Sequence, residues 1–388
     1  LRNYGYAPPF LAEGFANYLS LSLYDMRQML QAGTKVSLDD FLDTYHYLTA
    51  DPVVADRVSG SFVKYLLNTY KFDRFMQAYR QADDLNLRAV LEKTFGKSIA
   101  ELEQGWRTYV DTVRIPPDRF HWAADIAETM RQFNRSRDLY REALRRAVTR
   151  GDSMRYLGQL ARAHFFTGNY YAASENESKL IAMDSSISIW YMTLAGYEMM
   201  NGEYDKARRH LEIAHSKDTT NDMVRFNLAL NYLFSGNREE GLRRLRALVL
   251  KPGDGTAQVE SRLMLANALV TGTAAEKQEA SDLYAEALAL LDRQGPPPAP
   301  SATRQLWLGM AYMGTGDTGA AGDHLNTALY LEVRPFYRGM INLWLGKLAD
   351  MLGQRDAARE YYGLVISGAS AAYHQAEARA LLEKPYHP

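Results

Sequence analysis

The chain has no cysteine, which removes disulfides, thiol nucleophiles and thiolate metal sites together and leaves His, Asp and Glu as the possible ligands. It has almost no net charge: 45 basic residues against 46 acidic ones give −1. No global field would therefore draw in nucleic acid or an anionic membrane, and nucleic acid is set aside as a partner. No apolar run approaches the roughly 20 residues that span a bilayer, and nothing at the start resembles a signal peptide. Strand signals are scarce too. What is present is an ordinary composition, 47% hydrophobic and 23% charged over 388 residues, long enough for two or three domains.

Nearly every segment carries apolar residues at i, i+3, i+4 and i+7 between short Gly, Asn, Asp or Pro interruptions, which predicts an almost entirely helical protein. Two proline-rich breaks stand out, "RIPPDRF" at 114 to 120 and "RQGPPPAPS" at 293 to 301. The first reads as a domain boundary. Beyond residue 150, "LARAHFFTGNY", "LAGYEMMNGEY" and "LALNYLFSGNR" align without gaps and place Gly168, Gly202 and Gly236 at intervals of 34. Each block carries Leu-Ala on one helix, a Gly-polar turn, and Ala173, Ala207 or Gly241 five residues past the glycine. Small residues there let two helices cross closely.

The pattern continues with more noise through Ala266, Ala280, Tyr284 and Ala287, then Leu308, Gly309, Tyr312, Gly316, Ala321 and Ala328, then Leu345, Gly346, Gly353, Ala358 and Tyr362. A degenerate copy at 119 to 148 starts the array, and the amphipathic stretch 370 to 383 caps it. On these residues the region 119 to 383 resembles the tetratricopeptide repeat family. Departures are Glu198 and Ala349, where the first helix of a repeat usually carries an aromatic, and the missing proline between most copies.

The resemblance implies a right-handed superhelix whose concave wall comes from the first helix of each pair. Those positions here are Arg162, Phe165 and Phe166; Met192, Met199 and Met200; Phe226, Leu230, Leu233 and Phe234; and Met310, Met313, Met340 and Met351. A Met- and Phe-rich wall suits an adaptable groove for an apolar peptide, a protein partner or the chain's own N-terminal lobe. The competing reading is that individual methionines and phenylalanines pack between neighbouring helices.

Residues 1 to 113 do not repeat. They predict helices at about 9 to 31, 38 to 48, 55 to 70, 72 to 82, 86 to 95 and 99 to 113, with capping-box spacing at Ser37 ("SLDD") and Ser98 ("SIAE") and stops at Gly33 and Gly96. On the first helix Leu11, Phe15, Tyr18 and Leu19 make an apolar face. Glu13 shares its side with Pro9, Ala16, Asn17 and Ser20, small or polar neighbours that leave its carboxylate approachable.

"FLAEGFANYLS", followed by "SGSFVKYLLNTYKFDRFMQAYRQ" and "VLEKTFGKSIAELEQGWRTYV", resembles the C-terminal half of a gluzincin-type (peptidase MA-like) bacterial zinc metallopeptidase domain. That resemblance implies that Glu13 is the third zinc ligand, with two histidines and the general base on an earlier His-Glu-x-x-His helix. None of the eight histidines lies in such a motif. "HLEIAH", His210 to His215, has the wrong spacing, since five residues turn a helix by about 500° and leave the rings roughly 140° apart. This chain alone is therefore expected to hold no cofactor and to hydrolyse no peptide, with zinc reserved for a full-length parent that supplies the motif upstream. A first residue of Leu1 fits a cut or processed chain. For Glu13 the other reading is a solvated glutamate favoured by the helix dipole, and for Tyr65 and Tyr70 it is aromatic core instead of cleft lining.

"GTGDTG" at 314 to 319 satisfies a dinucleotide pattern but follows a helix on a repeat turn, and "FGKS" at 95 to 98 has Leu91 where a phosphate loop needs glycine. No nucleotide site is expected. The sequons at Asn134 and Asn176 fall within predicted helices. The resulting expectation is an all-α protein: a lobe at 1–115 and a solenoid of about six to seven tetratricopeptide-type pairs at 116–388. The function expected is a peptide-binding scaffold joined to an incomplete metallopeptidase lobe, the alternative being a zinc metallopeptidase completed upstream. The absence of cysteine weakly favours a bacterial periplasm or envelope over the cytoplasm.

Overall fold

The computed structural model describes residues 6–388, apart from the side chain of Leu19, which was assigned above to an apolar face. Among the described residues it is all-α. The chain divides into two compact units, up to Asp125 and from Ile126 on, a division that falls within the helix after the first proline break.

The first unit comprises α1 (Pro9–Ala16), α2 (Ser22–Gln31), α3 (Thr44–Thr49), α4 (Pro52–Tyr70), α5 (Phe72–Gln81), α6 (Leu87–Phe95), α7 (Ile99–Thr112) and the start of α8 (Pro117–Thr129). Its centre is α4, with Val58, Phe62, Val63 and Leu66 wholly buried. Around it Phe10 meets Phe62 at 5.8 Å and Trp106 stands edge-on to Phe62 at 6.3 Å. The Trp106 indole donates to Ser61 Oγ at 3.1 Å, so the largest core ring is also hydrogen-bonded. Gly14 makes the α1–α4 crossing possible, because a β-carbon there would lie 2.6 Å from both Ser59 O and Val63 Cγ2.

The predicted helix at 9 to 31 is broken in two. Asn17–Leu19 form a 3-10 turn and Ser20 is extended, held by its hydroxyl donating to Asn17 O at 2.7 Å. At Ser37 the expected capping box is absent: Leu38–Phe41 is a 3-10 turn in which the Asp40 amide bonds the Ser37 carbonyl, while the Leu38 amide goes to Glu103 Oε2. The box at Ser98 is complete, with Glu101 returning to the Ser98 amide. The difference lies in the backbone, since the tighter first turn at Ser37 already gives the Asp40 amide a carbonyl partner.

The second unit is a solenoid of tetratricopeptide-type pairs. After α9 (Phe133–Arg145) come α10 (Arg150–Phe166) with α11 (Tyr170–Met183), α12 (Ser188–Met200) with α13 (Tyr204–Lys217), and α14 (Asp222–Phe234) with α15 (Arg238–Val249). There follow α16 (Thr256–Leu269) with α17 (Ala274–Gln294), α18 (Ala302–Gly314) with α19 (Thr318–Leu331), α20 (Pro335–Met351) with α21 (Arg355–Ser367), and α22 (Ala372–Glu383). The repeat turns need glycine: Gly168, Gly202, Gly236, Gly316 and Gly353 have φ between 73° and 91°, a left-handed conformation that other residues adopt at a cost. Ala173 and Ala207 are fully buried, and a β-carbon on Gly241 would lie 2.6 Å from Leu233. The fourth pair lacks such a glycine and turns through the capping box of Thr273 and Glu276. Among the described residues no helix is long and apolar enough to cross a membrane.

Candidate functional site

The concave wall of the repeats is the natural place to look for a site, and there the chain's own C-terminal helices α20 and α22 pack against α10, α12 and α14. In α20 every residue from Ile341 to Asp350 is buried, so over that stretch the helix has no solvated face. Phe165 on α10 packs against Phe336 at 5.6 Å, and the Tyr170 hydroxyl donates to the carbonyl of Ala369. Further along, Phe234 on α14 stacks flat on Tyr373 of α22, centroids 4.1 Å apart and planes within 5°. The turn glycines contribute as well. Gly168 faces Pro335 and Ala369, and Gly202 faces Ala372, so a side chain at either would meet these residues.

The predicted groove residues therefore separate into three groups. Met199, Met310 and Met313 are core, each less than 5% exposed. Met192, Leu230 and Phe234 pack partly buried, as Tyr373 does, against the core around Tyr191 and Leu228, Phe165 and Met200 pack around Tyr197, and Phe226, Leu233, Met340 and Met351 against the large core of the later repeats. Arg162 and Phe166 lie apart from these, at the rim. Arg162 pairs with Glu128 at 2.9 Å and stands over the Phe166 ring.

Beside that rim is a cavity of about 380 Å³, between Glu128 to Phe133 on one side, Pro300 to Thr303 on another and Leu331 to Arg334 on the third, with Phe166 in its wall. Phe133 and Phe166 stand 5.1 Å apart. Arg334 lies over Tyr337 at 4.2 Å and Phe166 at 5.5 Å. Its guanidinium is held by both oxygens of the buried Glu332, at 2.8 and 2.7 Å, and Arg131 donates to Leu331 O at 2.7 Å. The cationic groups here are nearly balanced, so the cavity offers aromatic surface and fixed polar edges with little net field.

The polar side chains buried behind the wall were missed in the sequence reading. Lys347, 2% exposed in its side chain, reaches Glu377 at 2.6 Å and Asn267 at 3.1 Å. Burial pushes the His374 imidazole down to about 4. The available signal was α20 itself, "PFYRGMINLWLGKLADM", whose few polar residues are spread around the helix so that no face is polar, the pattern of an enclosed helix. Glu198, noted as a departure from the repeat pattern, is buried and paired with His210 at 2.7 Å. The departing residue and the histidine of "HLEIAH" thus explain each other.

In the first unit Glu13 is exposed on α1. Tyr65 is buried against Tyr70, ring centroids 5.9 Å apart, and belongs to the core. Among the described residues no three His, Asp or Glu side chains could hold a metal.

The chain matches no protein-family model and no curated relative. It is similar to solved helical-repeat structures. A tetratricopeptide repeat protein from Parabacteroides merdae is 11% identical, covering 69% of this chain and 97% of its own at a TM-score of 0.45. The Cut9–Hcn1 hetero-tetramer structure is 13% identical over 97% of this chain and 72% of its own, TM-score 0.43. MamA is 19% identical over 44% and 95%, TM-score 0.36. The fold assignment itself rests on the helix pairs and their 34-residue period.

Proposed function

We propose that this chain is a protein-binding repeat scaffold, and that its partner engages the repeat unit at the cavity beside Phe166 instead of along the central concave wall. One observation carries this reading: the central wall is taken up by α20 and α22, while Phe133, Phe166, Arg131 and Arg334 still face open space. The near-balance of charge suits an uncharged peptide segment, with an apolar or aromatic side chain against the two phenylalanines and its backbone on the arginine and hydroxyl edges. The test is site-specific photo-cross-linking in the native host from position 166, position 133 and the exposed Tyr330. One common adduct from 166 and 133 that disappears in Arg334→Glu and is absent from 330 is expected. Equal adducts from all three positions would sink the idea.

A second reading keeps the metallopeptidase resemblance. It is supported by Glu13 being exposed while its neighbour Gly14 is locked against α4, which leaves the carboxylate free to meet another segment. It requires a His-Glu-x-x-His segment from outside these 388 residues, and no step of peptide hydrolysis follows from the residues present. Zinc analysis of a longer natural product separates the readings: bound zinc lost in Glu13→Ala supports the second, and a zinc-free product carrying no such motif rules it out.

A further inference from the structure

The first unit holds a cavity of about 230 Å³ into which three cations converge, Lys64 from α4 and Arg114 and Arg119 from the segment around the start of α8, with no Asp or Glu in the lining. The arginines lie at the exposed mouth and Lys64 deeper within. Neither arginine side chain is in an ion pair among the described residues. Lys64 donates one bond, to Ser20 O at 2.9 Å, and stands over the Tyr18 ring at 5.5 Å. An ammonium has three donors, so two remain for a ligand. Asn68 and Tyr109, which share a 2.6 Å hydrogen bond, complete the polar rim.

Converging like charges in a part-buried site repel one another unless an anion is present. Lys64 shows this repulsion: burial first, and then the Arg119 charge, push its ammonium down to about 8. The same lining also has an apolar part, formed by Leu21, Leu23 and Ile115. A small anion alone would leave that wall wet, whereas an organic anion would cover it.

We propose that this cavity binds a small organic carboxylate, its carboxylate held by Lys64, Arg119 and Arg114 and its apolar substituent lying on Leu21, Leu23 and Ile115. The site is independent of the peptide-binding reading of the repeats. Its volume, about 230 Å³ and so below the roughly 300–1,000 Å³ of most ligand pockets, fits a ligand no larger than a single acylated amino acid.

Calorimetric titration of the full chain with N-acetyl-L-leucine tests it, with N-acetyl-L-leucinamide as the uncharged control and inorganic phosphate as the anion without an apolar group. Saturable one-to-one binding of the acid is expected, at least tenfold tighter than either control. Lys64→Met and Arg119→Gln should each weaken it about 10- to 100-fold, the effect of removing one charged hydrogen-bond donor. Arg88→Gln, at an ion pair with Asp39 elsewhere on the lobe, should bind as wild type does. Arg119 is exposed, so its variant keeps the test open should Lys64→Met fail to fold. Equal binding of acid and amide, binding of phosphate in preference to the acid, undiminished binding by both variants, or no saturable heat would each overturn the proposal.

Discussion

Tyr373→Ala tests whether the repeat unit is closed by its own C-terminus. The substitution removes the ring that stacks on Phe234 and joins α22 to α14. Truncating a fully buried large aromatic costs about 3–5 kcal/mol, and Tyr373 is only partly buried, so a loss of about 2–3 kcal/mol is expected. That figure mixes the stacking with ordinary burial, and a double-mutant cycle with Phe234→Ala separates them. The coupling expected for an aromatic pair is about 0.5–1.5 kcal/mol. Hydrogen exchange is the better assay, because two units and a repeat array need not unfold in one transition. In the single variant, amides of α22 should exchange faster while those of α4 keep their protection. If the two substitutions add within about 0.3 kcal/mol, or α22 is no more labile than in wild type, the two rings do not support each other and the closure argued here is refuted.

Gly14→Ala should destabilise the lobe by about 1–3 kcal/mol in urea unfolding, since its β-carbon would fall 2.6 Å from Ser59 O and Val63 Cγ2. Asp350→Asn should cost about 3 kcal/mol in thermal or urea unfolding of the repeat unit, because a carboxylate 1% exposed in its side chain accepts from Arg355, the Tyr362 hydroxyl and the Tyr386 amide. Burial raises the Glu177 carboxyl to about 7: the folded state then holds a proton that the unfolded chain releases near 4.5, so stability falls as pH rises from about 4.5 to 7. By that linkage Glu177→Gln should gain up to about 3 kcal/mol over wild type at pH 8 and nothing at pH 4, read from paired urea curves. Glu13→Ala, at an exposed position, should change the stability of this chain by less than about 0.5 kcal/mol.

The repeat architecture was legible because its determinants are local and periodic. A left-handed turn needs glycine at Gly168, Gly202 and Gly236, and a close crossing needs Ala173, Ala207 and Gly241, so both recur every 34 residues. The break at Ser20 was not legible, because nothing in "NYLSLSLY" disfavours helix strongly and the chain turns there to bring α2 against α4. The groove was read from positions alone, and the structure divides those residues among core, inter-helix packing and an outlying pair, Arg162 and Phe166. What the period cannot say is how tightly the superhelix winds, since that follows from small angles summed over many pairs. Only the winding brings Phe234 to Tyr373 and Phe165 to Phe336. The lobe cavity was invisible for a related reason: Lys64, Arg114 and Arg119 share no spacing that a sequence motif would reveal.

Closure changes what binding to this scaffold can mean. A peptide that uses the central wall must first displace α22 and the loop at Ala369, and its apparent affinity falls by the fraction of molecules that are open. If the aromatic contacts hold the closed form by about 3 kcal/mol, that fraction is about 1 in 150, and a ligand with micromolar affinity for the open wall would bind at only about 150 µM. A ligand at the Phe166 cavity loses nothing to that equilibrium, because Phe133, Phe166 and Arg334 already face the space it would fill. The two sites therefore respond differently to Tyr373→Ala. Binding at the central wall should strengthen by up to two orders of magnitude, whereas binding at the cavity should hold steady, since none of its lining residues contacts Tyr373. An affinity that rises in the variant would place the partner on the wall, contrary to the assignment made here.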